Sequence, residues 1–455
     1  MAVTAENMAK QFDIARRTLV VGLGETGLSV VRYLARRGVP VAVVDSRAQP
    51  PALQRLHDEH IADVALFLGG FHDEAFAHAE QLVVSPGVAL GEPQIAAARA
   101  RGIPVIGDIE LFARAATAPV IAVTGSNGKS TVVTLLGAMA RRAGRDVRVG
   151  GNLGTPALDL LTEPEPDLYV LELSSFQLET VQSLHPRAAV VLNVSEDHLD
   201  RYASLADYAA AKQVIYRQAD VQVINADDVL AAGLSDASRP RVVYRAGVPA
   251  VGEYGLCEYE GVTWLAHGTQ RLLPVTAIRL AGRHNHTNAL AALALGAAAG
   301  LPMAAMLETL TEFQGLAHRM QFVAERGGVR WYNDSKGTNV GATQAAIAGI
   351  DGPVVLIAGG DGKGQDFAPL ANALAGKGRG AVLIGRDAAR LAAVLDGVLP
   401  VQQVHDLHAA VQCAAAMAIA GDSVLLSPAC ASTDMFRNYA ERGEIFTRTV
   451  LEAVG

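Results

Sequence analysis

Short β-branched, apolar runs alternate with Ala-rich stretches of helical periodicity along almost the whole chain, the pattern of parallel strands covered by helices. The first block reads as strand Thr18–Gly22, helix Gly27–Arg37 and strand Val41–Asp45. Strand Gln81–Val84, ending in Ser85-Pro-Gly87, follows, and Ile103–Asp108 is the last strand and the exit. The second opens with strand Val120–Thr124, a Gly-rich turn and helix Lys129–Arg142, then strands Leu168–Glu172, Ala189–Asn193 and Val221–Asn225. A Tyr- and Gly-containing stretch, Gly252–Leu273, predicts an antiparallel elaboration before helices Asn288–Ala299 and Met303–Phe313. The third block holds strands Val329–Asp334, Pro353–Ala358, Ala381–Gly385 and Ser423–Ser427, each followed by a helix. The expected fold class is α/β in three domains, 1–107, 108–315 and 316–455.

Composition narrows the function classes. A length of 455 residues suits about three domains, each with its own core. Half the residues are hydrophobic, yet no run reaches the ~18 apolar residues of a membrane span. No basic-then-apolar leader opens Met1–Lys10. Cys257, Cys413 and Cys430 are too dispersed for a metal site or a disulfide framework. A cytoplasmic enzyme is expected. A formal charge of −8 argues against a nucleic-acid binder, which needs a clustered basic face. Only six of the 38 basic residues are lysine. Four of these six, Lys129, Lys212, Lys336 and Lys363, occupy short polar stretches rich in Gly, Ser and Asp, where an ammonium suits an anionic substrate.

The motifs specify the chemistry. Thr124-Gly-Ser-Asn-Gly-Lys-Ser-Thr131 joins a strand to a helix, aiming backbone N–H groups at a phosphate. Gly125, Ser126, Asn127, Gly128, Lys129, Ser130 and Thr131 form this candidate ATP turn, with a hydroxyl for Mg²⁺. The match to a P-loop is partial, because Val123 stands where the first glycine belongs. Glu172 ends an apolar strand, and Asp197, His198 and Asp200 follow another, so all should emerge on one sheet edge as Mg²⁺ candidates. Gly22-Leu-Gly-Glu-Thr-Gly27, with Asp45 ending the next strand, is a dinucleotide fingerprint whose acid is placed for a ribose hydroxyl. Two nucleotide turns in one chain disfavour an oxidoreductase, and the lysine-bearing third block leaves a mere nucleotide-binding regulator unexplained. That block presents Asn333-Asp-Ser-Lys-Gly-Thr-Asn339, Gly359-Gly-Asp-Gly-Lys363 and Ser427-Pro-Ala-Cys-Ala-Ser-Thr-Asp434 past its strands. Two lysines and several hydroxyls there suit a carboxylate-bearing co-substrate and a transferring phosphate. Cys430 reads as a packed small residue.

On these stretches the chain resembles the Mur ligase family over essentially its full length. The Asn333–Asn339 stretch, Ser-Pro-Ala-Cys-Ala-Ser and the Gly-x-Gly-x-x-Gly turn make it similar to the D-glutamate-adding members rather than to other Mur-type amino-acid ligases. The resemblance implies a Rossmann-like N-terminal domain, a central P-loop-type ATPase domain and a Rossmann-like C-terminal domain. It implies ATP, Mg²⁺, D-glutamate and UDP-N-acetylmuramoyl-L-alanine as partners in peptidoglycan precursor synthesis, through an acyl phosphate, by a monomer. Thr26, Asp45, Ser46, Arg47, Ser85, Gly87 and Asn152 match contacts to the UDP-substrate. Asn285, Asn288, Arg319 and Asp334 match contacts to ATP. Lys129, Glu172, His198, Lys212 and Lys336 match catalytic positions, and Ser130, Glu172, His198 and Lys212 lie around Mg²⁺, with Lys212 carbamylated by CO₂. Thr338, Lys363, Ser432 and Tyr439 match the D-glutamate pocket, with tyrosine at Tyr439 where relatives carry phenylalanine.

Overall fold

A computed structural model describes residues 17–61, 63–198, 201–279 and 283–454. Three sheets carry the chain. The first is wholly parallel, in the order Val64–Leu68, Val41–Asp45, Thr18–Val21, Gln81–Val84, Val105–Ile106. Its order reverses between Thr18–Val21 and Gln81–Val84, opening a crevice at their C-terminal ends where α/β sheets bind ligands.

The central sheet has nine strands. Arg241–Tyr244, Val221–Asn225, Ala188–Val191, Val120–Thr124, Leu168–Glu172 and Val147–Gly151 run parallel in that order. Tyr254–Tyr259, Val262–His267 and Gln270–Pro274 add the antiparallel extension. Val120–Thr124 and Leu168–Glu172 are buried along their whole length, so they read in sequence as uninterrupted apolar runs. Helices Lys129–Arg142 and Arg283–Ala298 share one core with this sheet, built from residues such as Val132, Leu136, Leu290 and Leu293.

The third sheet runs Gln321–Arg326, Val329–Asn333, Ser423–Leu426, Val354–Gly359, Gly378–Ile384, Val401–Gln403, parallel except for its first strand. Gln321–Arg326 and Val64–Leu68 are strands absent from the sequence-based expectation, the second despite its unbroken apolar run. Both are edge strands of mixed burial. Among the described residues no helix is long and apolar enough to cross a membrane.

Candidate active site

The first Gly-rich turn is held by close packing rather than by side-chain caps. A Cβ on Gly27 would overlap the Gly22 carbonyl oxygen, so only glycine lets the helix Glu25–Ala35 begin there. Ser85 Oγ donates to that same carbonyl at 2.8 Å. Asp45 sits at its strand end as expected, but its carboxylate is fully engaged within the chain. It accepts from Leu23 N at 2.7 Å and from the Arg47 amide and guanidinium at 2.7–2.9 Å. Burial pushes its pKa up, but these bonds outweigh burial and hold it below the ordinary value. Asp45 therefore aims Arg47, whose side chain remains half exposed, over a cavity of about 640 Å³. Thr26, Ser46, Ser85 and Gly87 line it, and the central region adds Asn152 and Gln177.

Gln177 is a lining residue that the sequence reading passed over. Its signal is a capping box: Ser174 Oγ accepts from Gln177 N, and the Gln177 side chain accepts from Ser174 N. Its amide then donates to Asp108 at 3.0 Å. Burial pushes the Asp108 carboxyl from 3.8 to about 6, against the Gln177 bond. A carboxyl raised on folding favours the folded state below its unfolded pKa, and that contribution is lost as pH rises through about 6. Asp108→Asn is therefore expected to stabilise the protein by up to about 3 kcal/mol at pH 8, with the gain disappearing toward pH 4. Urea unfolding at the two pH values measures it.

The second turn gathers the ATP candidates. Gly128 precedes helix Lys129–Arg142 at φ +84, and a Cβ there would stand 2.5 Å from Asn288 Oδ1. Asn288 in turn donates to Asn285 at 3.1 Å. Beside them a cavity of about 400 Å³ is lined by Asn127, Asn193, Asn225, Asp227, His284 and Asn288. The Lys129 ammonium curls over the turn onto the carbonyls of Gly125 at 2.6 Å and Ser126 at 2.8 Å. Ser130 Oγ donates to Glu172 at 2.6 Å, and Asn152 donates to the other Glu172 oxygen at 2.8 Å. Burial raises the Glu172 pKa, but Lys129, Ser130 and Asn152 together hold it below the ordinary value, so it is ionised.

Lys212 lies on helix Leu205–Gln213 and is 1% exposed. Its Nζ donates to the Gly125 carbonyl at 3.0 Å, the oxygen that Lys129 already holds, and stands 4.3 Å over the Tyr208 ring. Burial, then the neighbouring Lys129 charge, push its pKa well below the ordinary lysine value. His198 adopts φ +55 and packs edge-on to Phe176 at 4.8 Å between ring centres. Asp200 lies outside the described residues.

The C-terminal sheet reaches into this group. Arg319 donates to Ser130 Oγ at 2.8 Å. Lys363, at φ +50, points its ammonium at Asp197, 3.4 Å away. Asn339 pairs reciprocally with Asn127 through both amides and donates to Asp197 at 3.2 Å. Asn339 closes the Asn333–Asn339 motif, and its sequence position alone assigns it no role. Asp334 accepts from Ser427 Oγ at 2.7 Å and Met320 N at 3.2 Å, yet burial pushes its pKa to about 6. Lys336 donates to the Tyr439 hydroxyl at 3.2 Å, a bond that phenylalanine could not accept. Thr338 and Ser432 sit on the loops after Val329–Asn333 and Ser423–Leu426, half-buried and buried respectively. The buried Arg442 holds those loops together by donating to the Ser335 and Cys430 carbonyls. The Cys430 thiol is buried and pushed up to about 12, which agrees with a packing role.

Residues 16–107 match the family model described as Mur ligase MurD-like, N-terminal domain. Residues 123–296 match the Mur ligase middle domain, and 318–430 the Mur ligase glutamate ligase domain. The UDP-N-acetylmuramoylalanine–D-glutamate ligase of Nitrosococcus oceani is 58% identical over 98% of this chain and 99% of its own. The ligase of the same name from Pseudomonas aeruginosa is 52% identical over 95% of this chain and 97% of its own. Among solved structures, UDP-N-acetylmuramate-alanine ligase from Thermotoga maritima shares the fold, with TM-score 0.61 at 19% identity over 96% of this chain and all of its own. A pseudomurein peptide ligase type C from Methanothermus fervidus aligns with TM-score 0.60 at 18% identity, over 97% of this chain and all of its own. Similar in sequence to such relatives over nearly its entire length, the chain belongs to the Mur ligase family.

Proposed function

We propose that this protein joins D-glutamate to UDP-N-acetylmuramoyl-L-alanine in an ATP-dependent step of peptidoglycan precursor synthesis, the activity its relatives are named for. The observation that carries the reading is the junction between the C-terminal loops and the second Gly-rich turn, made by Arg319 on Ser130, Asn339 on Asn127 and Lys363 on Asp197. An amino-acid site and a phosphate site are useful to a ligase only when they are joined in this way. We assign the UDP end of the substrate to residues 1–107, ATP to 108–315 and D-glutamate to 316–455. One chain supplies all three regions, so we take a monomer working in the cytoplasm as the active unit.

The chemistry follows from charge. The L-alanyl carboxylate attacks the γ-phosphorus of ATP, ADP leaves, and the acyl phosphate formed is attacked by the amine of D-glutamate, which expels phosphate. Lys129 and Arg319 hold phosphate oxygens through the first step, when two anions meet. Lys336, with its ammonium fixed by Tyr439, and Ser432 line the entry for the amine. Acyl phosphates hydrolyse readily, so the bonds between the C-terminal and central regions also serve to exclude water.

Magnesium takes oxygen ligands and draws few of them from protein. Among the described residues no group of three or more His, Cys, Asp or Glu side chains forms a metal cage, as suits an ion shared with phosphate and water. The Ser130 hydroxyl and ionised Glu172 carboxylate are hard oxygen donors side by side, so these residues fit Mg²⁺, and we assign His198 to the surroundings of the same ion. Bound there, the ion supplies charge neutralisation between carboxylate and phosphate. Lys212 completes the set as a carbamate: its neutral amine bonds to the carbon of CO₂ and releases a proton, turning a would-be cation into an anionic oxygen donor.

Ligation is tested by phosphate release that requires all three substrates together. The assignment of the first turn has a sharper test. Arg47→Ala should raise KM for the UDP-substrate about tenfold or more and leave KM for ATP unchanged. The reverse pattern would mean that the two nucleotide turns have been exchanged.

A further inference from the structure

The segment that carries His198 also carries a residue that reaches the other way. The amides of Arg201 and Tyr202 both donate to the His198 carbonyl, at 2.9 and 3.1 Å. From there the Arg201 guanidinium crosses into the N-terminal region. It donates to Val88 O at 2.8 Å and to Pro86 O at 3.3 Å, the two carbonyls that flank Gly87 in the lip of the UDP cavity. Phe176 lies under the guanidinium, 4.6 Å from ring centre to Cζ, and the same ring packs against His198. Glu179 stands 3.7 Å from the guanidinium and accepts the Tyr202 hydroxyl at 2.6 Å. The Arg201 side chain is only 17% exposed. Its fixed fork of donors meets two divergent carbonyls at once, which a lysine ammonium on a flexible stem does not reproduce.

We infer that Arg201 is a positioning residue: it sets the register between the loop that grips the UDP end of the substrate and the His198 turn toward which the other end must deliver its carboxylate. The inference rests on the proposed ligase reading. The substrate is long, and it is held at one end by the N-terminal cavity and at the other by groups of the central region. Nucleotide binding alone needs only the cavity. Reaction needs cavity and catalytic turn at a fixed separation, because displacement by about 1 Å at the reacting atoms costs on the order of 100-fold in rate. Arg201 spans that separation with one side chain.

The test compares a fragment with the whole substrate in the full-length enzyme. Arg201→Met and Arg201→Lys should bind free uridine diphosphate as the unmodified enzyme does, measured by calorimetry. Their kcat/KM for UDP-N-acetylmuramoyl-L-alanine should fall by about 10- to 100-fold, with KM for ATP and D-glutamate unchanged. If Arg201→Met does not fold, Arg201→Lys and Glu179→Gln carry the test, the latter with a smaller loss in the same direction. Equal weakening of uridine diphosphate and substrate, or an Arg201→Lys enzyme as active as the original, would overturn the inference. Failure of the unmodified enzyme to bind uridine diphosphate would instead count against the ligase reading.

Discussion

Lys212→Ala is expected to leave about a thousandth of the activity or less, at the upper end of what one electrostatic contact contributes, while the protein stays folded. The side chain is buried, its pKa is far below that of a free lysine, and it shares the Gly125 carbonyl with Lys129. A second ammonium at that oxygen is electrostatically unfavourable, whereas a neutral amine is not, and the neutral amine is the form that reacts with CO₂. Removing the side chain would remove the proposed carbamate, and a small carboxylate such as acetate or formate should restore part of the activity by occupying its place. Carbon NMR with labelled CO₂ reads the carbamate directly. A fully active Lys212→Ala enzyme, or an active enzyme without a carbamate signal, would refute the assignment.

The second large effect belongs to Lys363→Ala. Removing the charge partner of a desolvated carboxylate costs about 2 to 5 kcal/mol, so KM for D-glutamate should rise roughly 30-fold or more. In this structure the Lys363 ammonium stands 3.4 Å from Asp197, so the substitution also removes the nearest counter-charge of a buried acid. The two roles separate kinetically. Loss of D-glutamate affinity with formation of the acyl phosphate preserved fits the amino-acid role. Collapse of acyl-phosphate formation with an unchanged KM for D-glutamate would place Lys363 in the phosphate site instead.

Where a strand is buried on both faces, its sequence alone located it. Val120–Thr124, Leu168–Glu172 and Val221–Asn225 were legible to the residue, as was helix Lys129–Arg142 after its glycine turn. The edge strand Gln321–Arg326 was not, because polar residues bound its short apolar stretch. Neither were the edge strand Val64–Leu68 and the interior strand Arg241–Tyr244, short apolar runs that periodicity alone does not separate from a buried helical segment. The site divides in the same way. Ser130 and Glu172 stand where strand ends predict them. The Asn127–Asn339 pair joins residues 212 positions apart, and Arg201 meets carbonyls more than a hundred positions away. No local pattern encodes such contacts, since backbone carbonyls and single amides occur everywhere in a sequence. That Asp45, expected to take a ribose hydroxyl, instead commits its carboxylate to Leu23 and Arg47 was hidden for the same reason: a fingerprint gives the position of a carboxylate and not what bonds to it.

The most direct measurement is phosphate release from ATP in the presence of UDP-N-acetylmuramoyl-L-alanine, with D-glutamate compared against L-glutamate. The account predicts sustained release with the D-enantiomer, accompanied by a UDP-sugar product one glutamyl residue heavier, and only background release with the L-enantiomer. Equal release with both enantiomers, or release that needs no amino acid, would contradict it.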